Sequence, residues 1–352
     1  MRAWEQYFRQ VEPYTPGEQP KDTGVIKLNT NENPYPPAPA VEKALQNMDF
    51  SKFRLYPDPK ADALVEAIAA YYQLSKDQVF VGVGSDDVIG MSFLTFFNSD
   101  KPILFPDITY SFYDVWADLF KIPYERPALD QTFQICLEDY KKENGGVIFP
   151  NPNAPTGEAV DLEFIKKVLD YNQDVVVIID EAYVDFGAKS AVELINQYEN
   201  LLVVQTFSKS RAMAGMRIGY AMGDKRLIQA LNDVKYSYNS YTMNMPAIEL
   251  GVKAIEDKEY FREITEKIID IREYSKEEFK KLGFVFGDSM ANFIFVTHKE
   301  YPAEELFEYL KSKKIYVRHF KQPRIQNYLR ITIGTKEQMD AMFVALRNYQ
   351  RA

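Results

Sequence analysis

"LLVVQTFSKSRAMAGMRIGYAM", residues 201–222, places two apolar runs on either side of a short polar cluster. "LLVVQT" (201–206) and "RIGYAM" (217–222) have the β-branched and aliphatic content of buried strands. Between them lies Lys209, flanked by Ser208 and Ser210, and the second run opens on Arg217, two residues after Gly215. The same grammar recurs upstream. "VFVGV" (79–83) runs into "GSDD", "PILF" (102–105) into "PDITY", "GVIF" (146–149) into "PNPNAPTG", and "VVVIID" (175–180) ends in "DEAY". Helix-period stretches separate several of these runs. In "ADALVEAIAAYY", Ala61, Leu64, Val65, Ile68, Ala69 and Tyr72 fall on one stripe, with Asp58 as the expected N-cap and Pro59 as the first helical residue. Strands alternating with helices predict an α/β layered fold with a mostly parallel sheet over about residues 50–235. In such sheets the carboxyl ends of the strands line the ligand crevice, so five separate polar clusters are expected to converge on one site.

The flanking parts read differently. "DKEYFREITEKIIDIREYSKEEFKKLG" (257–283) is a long amphipathic helix closed by Gly283. After it come "NFIFVT", a helix from about Pro302, "IYVRHF", "YLRITIGT" and a last helix, which together predict a smaller α+β domain. The expected organisation is an N-terminal segment (1–50) that joins the small domain and covers the active site, a large domain (51–235) and a small C-terminal domain (236–352).

Composition bounds the function. The 352 residues carry a formal charge of −9, so no basic field is available to attract nucleic acid. The longest aliphatic run, "VVVII" (175–179), is too short to span a bilayer. Cys136 is the only cysteine, which suits a reducing, cytoplasmic setting. His298 and His319 lie far from any Cys or paired-acid pattern, so no metal site is expected.

Singly, each cluster has an ordinary reading. Lys209 alone is a loop lysine, "NPNAPTG" a turn, Tyr110 a core aromatic, Arg217 half of an ion pair. Asp180 is sharper, because a carboxylate at the end of an aliphatic strand needs a partner. Jointly they describe a lysine, a buried acid, a hydroxyl–arginine anion pocket and an aromatic face around one site.

"TFSKSRAMAG" resembles the lysine signature of the class II, fold type I aminotransferases, which use pyridoxal 5′-phosphate. The order "NENP … YPDP … GSDD … TYSFY … NPNAPTG … DEAY … SKSRAMAGMRIGY … LRITIGT" is similar to that of the histidinol-phosphate aminotransferases over nearly the whole chain. The resemblance implies that Lys209 forms the imine with the cofactor aldehyde and then shuttles a proton. It implies that Asp180 pairs with the pyridine nitrogen, Tyr183 bonds the ring's phenolic oxygen and Tyr110 stacks on the ring. Ser208, Arg217 and the Gly84–Ser85–Asp86 turn would hold the phosphate, joined by Tyr56 from a neighbouring subunit in a homodimer. Arg330, Arg318 and Tyr14 would grip the substrate's anionic group. The implied reaction moves an amino group between histidinol phosphate and its oxo partner on one side and glutamate and 2-oxoglutarate on the other.

One position departs from this pattern. Relatives carry asparagine immediately before "PTG", whereas this chain has Ala154 with Asn153 beside it. Either Asn153 shifts in to support the ring oxygen or Tyr183 does so alone. "NENPYPPAP" also lacks a glycine usual in the family, which bears on substrate choice. An aromatic amino-acid aminotransferase, a threonine-phosphate decarboxylase and a catalytically silent ligand-binding protein on the same scaffold are the alternatives.

Overall fold

The computed structural model describes residues 2–351. Strand β1 (Ile26–Lys27) precedes a seven-stranded sheet built from β2 (Val79–Gly82), β3 (Ile103–Leu104), β4 (Tyr124–Glu125), β5 (Gly146–Pro150), β6 (Val177–Asp180), β7 (Leu201–Thr206) and β8 (Gly219–Gly223). Its order is β2-β8-β7-β6-β5-β3-β4. Six of these strands coincide with the apolar runs; β4 does not, because "YE" is too short and polar to read as a strand. Only β8 runs against its neighbours β2 and β7. A parallel return needs a crossover of a dozen or more residues, usually a helix. The β7–β8 connection is instead spent on the Lys209 loop and a single 3₁₀ turn at Ala214–Met216.

Helices α1 (Pro39–Gln46), α2 (Asp62–Tyr72), α3 (Ser85–Phe96), α4 (Phe112–Phe120), α5 (Leu162–Tyr171), α6 (Lys225–Tyr238) and α7 (Met245–Glu256) cover this sheet. Alternate strand residues face opposite layers. Val177, Ile179, Leu201 and Val203 pack with α1, α2, α5 and α7, while Ile178, Leu202 and Val204 pack with α3, α4 and α6. Helix α2 starts later than expected. Pro59 lies outside it, Ala61 sits at the N-cap in the left-handed region, and Asp58 still caps by accepting from the Asp62 amide at 2.7 Å.

Strands β9 (Phe284–Phe286), β10 (Phe293–His298), β12 (Arg318–His319) and β13 (Leu329–Thr332) form a four-stranded antiparallel sheet in the order β12-β13-β10-β9. Strand β11 (Ile315–Tyr316) pairs in parallel with β1 instead. Helices α8 (Lys258–Lys281), α9 (Ala303–Ser312) and α10 (Lys336–Gln350) back the smaller sheet. Leu28, just after β1, and Phe186, just after the "DEAY" turn, are buried in the same cluster. Each such fully buried aliphatic or aromatic side chain contributes roughly 1.5–3 kcal/mol. The N-terminal segment is thereby tied to the smaller sheet, and it passes across the carboxyl edge of the larger one.

Candidate active site

The parallel strands deliver their polar clusters to one edge, where two adjoining cavities open, each about 180 Å³. Thr30, Tyr110, Ala154, Tyr183 and Lys209 line both. Ser85, Asp86, Asp180, Ser208 and Arg217 belong to the deeper one, and Tyr14, Arg318 and Arg330 to the outer one.

Asp180 ends β6 in the interior, where its carboxylate accepts from Tyr113 Oη at 2.8 Å and from the Ala182 amide at 3.2 Å. Among the described residues no cation pairs with it. Burial pushes its carboxyl up to about 6, with these two hydrogen bonds pulling the other way. A positively charged ring nitrogen would supply the partner this acid lacks.

At one end of the sheet, β2 turns through Gly84 (φ +87°) into α3, whose N-terminus no side chain caps. Glycine is favoured here by the φ of +87°, which L side chains rarely adopt, and it leaves room for Arg217 Nη2, 2.4 Å from where a Cβ would stand. Gly219, at the start of β8, is equally constrained, as its Cβ would meet Ser85 N at 2.3 Å. These two absences bring the free helix amides, Arg217 and Ser208 Oγ (3.5 Å from Arg217 Nη1) into one anion-binding corner. Asp86 holds that corner in place, accepting from Arg217 Nη2 at 3.2 Å and from Tyr110 Oη at 2.7 Å.

Lys209 Nζ donates to the Thr30 carbonyl at 3.1 Å and lies 5.7 Å from the centre of the Tyr183 ring. Asn33 donates to the Lys209 and Ser210 carbonyls at 3.1 and 3.2 Å, so the "NENP" segment fastens the lysine loop from above. In the outer cavity Arg330 is half-buried, with its Nε enclosed. It donates through Nη2 to the Asn29 carbonyl at 3.0 Å, while Nε has no partner, and burial lowers its pKa. Tyr14 stacks on Phe112 with ring centres 4.3 Å apart, and Arg318 sits 5.7 Å from the Phe320 ring centre.

Asn153 corrects the sequence reading. Its Nδ2 donates to the Ile108 carbonyl (3.0 Å) and Thr156 Oγ1 (3.1 Å), and its Oδ1 accepts from Thr109 Oγ1 (3.0 Å). The amide is fully used in bracing the loop, and the cavity wall at this point is the Ala154 methyl. Tyr56 lines neither cavity; it is 82% exposed and packs on Tyr241. Thr30, Asn31, Asn33 and Tyr113 are parts of the site that the sequence reading missed. The one available signal was the polar density of "NTNEN" ahead of a proline-rich stretch.

A carboxylate without a cation, an uncapped helix with a facing arginine, and a lysine between them define a holder for an anionic aromatic aldehyde. The aminotransferase class I and II family model matches residues 23–346, and the chain belongs to that family. It is 51% identical over 339 residues to the histidinol-phosphate aminotransferase of Clostridium botulinum strain Kyoto, covering 96% of each chain. Identity to the histidinol-phosphate aminotransferase of Clostridium beijerinckii is 51% over 346 residues, covering 98% of this chain and 97% of the other. The fold is that of the Sinorhizobium meliloti histidinol-phosphate aminotransferase solved with pyridoxal 5′-phosphate (TM-score 0.84, 22% identity, 93% of this chain and 91% of that one). The architecture is therefore fold type I.

Proposed function

We propose that the chain is a pyridoxal-phosphate-dependent aminotransferase that exchanges an amino group between histidinol phosphate with its oxo partner and glutamate with 2-oxoglutarate, in histidine biosynthesis. The single observation that carries this reading is Lys209 standing between a buried, cation-free Asp180 and an outer cavity holding Arg318 and Arg330.

When bound, pyridoxal phosphate supplies an aldehyde that exchanges amines and a ring that accepts electrons. The residues around it have separable tasks. The α3 amides at Ser85 and Asp86, with Ser208 and Arg217, hold the phosphate, and the Asp86 carboxylate orients Arg217. Asp180 keeps a proton on the ring nitrogen, and Tyr183 donates to the phenolic oxygen. Tyr110 covers one ring face, and Ala154 offers only a methyl. Lys209 Nζ, tethered by Thr30 and within reach of both cavities, moves the proton at the α-carbon of the amino donor. Arg330, with Arg318 and Tyr14, grips the phosphate of one substrate and the carboxylate of the other. Both half-reactions use one site, which makes the kinetics ping-pong.

The same reading divides the chain into an N-terminal segment (1–50), a large cofactor-holding domain (51–235) and a small substrate-gripping domain (236–352). It also places Tyr56 in a neighbouring subunit's phosphate corner, in a cytoplasmic homodimer. Its 82% exposure and its absence from both cavities support that placement. A glutamate-coupled assay of the purified protein with histidinol phosphate, phenylalanine and threonine phosphate tests the proposal. Turnover is expected with histidinol phosphate. Faster turnover of phenylalanine, or carbon dioxide release from threonine phosphate, would replace it.

A further inference from the structure

Asn31 is 1% exposed and sits in the left-handed region at φ +56°, a conformation asparagine tolerates better than most residues. Three parts of the molecule meet on it. Its backbone N–H donates to Thr332 Oγ1 at 3.0 Å, and the Thr332 hydroxyl donates back to Asn31 Oδ1 at 3.0 Å. Asn292 Nδ2 donates to the Asn31 carbonyl at 3.0 Å. The remaining group, Asn31 Nδ2, donates to Tyr183 Oη at 2.9 Å.

This arrangement fixes who donates to whom. Among the described residues Asn31 Oδ1 is the only acceptor that the Thr332 hydroxyl proton meets, so Oδ1 is the amide atom facing Thr332 and Nδ2 the one facing Tyr183. Tyr183 Oη is therefore the acceptor in that bond, and its own proton is free to point into the cavities that Tyr183 lines with Lys209. Donation into a phenol oxygen also strengthens the phenol as a donor, because successive hydrogen bonds polarise one another. The tyrosine ring is braced edge-on by Phe293, with centres 5.1 Å apart. Ala154, which also lines both cavities, offers a methyl, so no side-chain donor at that position shares the task.

We infer that Asn31 is a positioning residue for the reaction: anchored by Thr332, it commits the Tyr183 phenol to donate to the cofactor's ring oxygen. The inference rests on the cofactor reading above. Thr332 lies two residues beyond Arg330 on β13, so one strand carries both the anion-gripping guanidinium and the anchor of the phenol.

The test is a pH titration of the visible absorption of the cofactor-loaded protein without substrate. A donor at the ring oxygen favours the less protonated chromophore, so weakening it moves the midpoint to higher pH. Asn31→Ala is expected to raise the midpoint by about half to one pH unit, the size of one lost hydrogen bond. Thr332→Val should move it the same way by less, and Thr332→Ser, which keeps the hydroxyl, should leave it in place. In a Tyr183→Phe background, Asn31→Ala should add nothing, because the phenol through which it acts is gone. A wild-type midpoint in Asn31→Ala, or an equal further shift on top of Tyr183→Phe, overturns the inference. Should Asn31→Ala not fold, the Val and Ser variants of Thr332 decide by the same criterion: equal midpoints overturn it. A wild-type protein with no titrating chromophore would instead overturn the cofactor reading, and this inference with it.

Discussion

Along the carboxyl edge of the larger sheet, Asp180 takes hydrogen bonds from Tyr113 and Ala182, and Asp86 ties Tyr110 to Arg217. Across the cleft, Arg330 spends one N–H on the Asn29 carbonyl while its Nε has no partner. Of the five buried side-chain atoms without a hydrogen bond among the described residues, two belong to residues lining the outer cavity: Arg330 Nε and Asn29 Oδ1. An unpaired buried polar group costs about 1–3 kcal/mol, so its persistence points to a ligand that completes it. The first wall is organised by its own chain and suits a resident group. The second is left incomplete and suits a group that arrives and leaves, as an exchanging substrate must.

Variants on the first wall should abolish chemistry outright. Lys209→Ala is expected to lower kcat by about 10⁴-fold, since in the proposed role one amine is both attachment point and proton carrier. Borohydride reduction of the loaded wild-type protein should leave the cofactor on the peptide containing Lys209. Mass-spectrometric recovery of the label on another lysine would detach the comparison from its central residue.

Asp180→Asn preserves an acceptor for Tyr113 Oη but removes the negative charge, separating electrostatics from packing. Loss of about 10³-fold in kcat is expected, with the fold retained by circular dichroism. Full activity in this variant would mean that the acid is a structural acceptor only, and the first wall would lose its electronic role.

The second wall should fail differently. Arg330→Ala removes a cation whose buried donors a substrate anion would satisfy, so kcat/KM for histidinol phosphate should fall by about 10²-fold. Cofactor affinity, measured by equilibrium titration of absorbance, should be unchanged, because Arg330 lines only the outer cavity. A parallel loss of cofactor would erase the distinction between the walls.

The two walls also differed in how far the sequence disclosed them. Lys209, Asp180 and the Gly84–Asp86 turn each end or follow an apolar strand, so local pattern and the rule for sheet edges bring them together. Arg217 was found from the same loop. Tyr113 looked like one more aromatic on a helix, and only the fold sets it against a residue 67 positions later. Asn31 was less accessible still, with partners 152 and 301 residues away. Asn153 misled because its neighbour's role is set by which side chain the loop turns inward, a backbone detail that composition does not carry. Strand β4 escaped because its two residues, Tyr124 and Glu125, lie in no apolar run, unlike the equally short β3.

Glu181 sharpens the comparison at its smallest scale. It follows Asp180 directly, and strand alternation turns it to the opposite face, away from the cavities. There its Oε1 accepts from the Ala191 amide at 2.6 Å, and its Oε2 from Ser190 Oγ at 2.6 Å and Gln205 Nε2 at 2.8 Å. Gln205 in turn accepts from Tyr72 and Tyr220 at 2.6 and 2.7 Å. Among the described residues no cation pairs with this carboxylate. Burial raises it from 4.5 to about 7, against the pull of its three donors. A carboxyl raised in the folded state stabilises most below 4.5, and that contribution is lost as pH rises through 7. Glu181→Gln cannot ionise, so it should be insensitive over this window. Between about pH 5 and pH 8 the cofactor-free variant should gain on the order of 2 kcal/mol relative to wild type, read from denaturant midpoints at each pH. A difference that stays constant across the window would show that the burial penalty is already met, and that the back of the strand is as fully satisfied as its front.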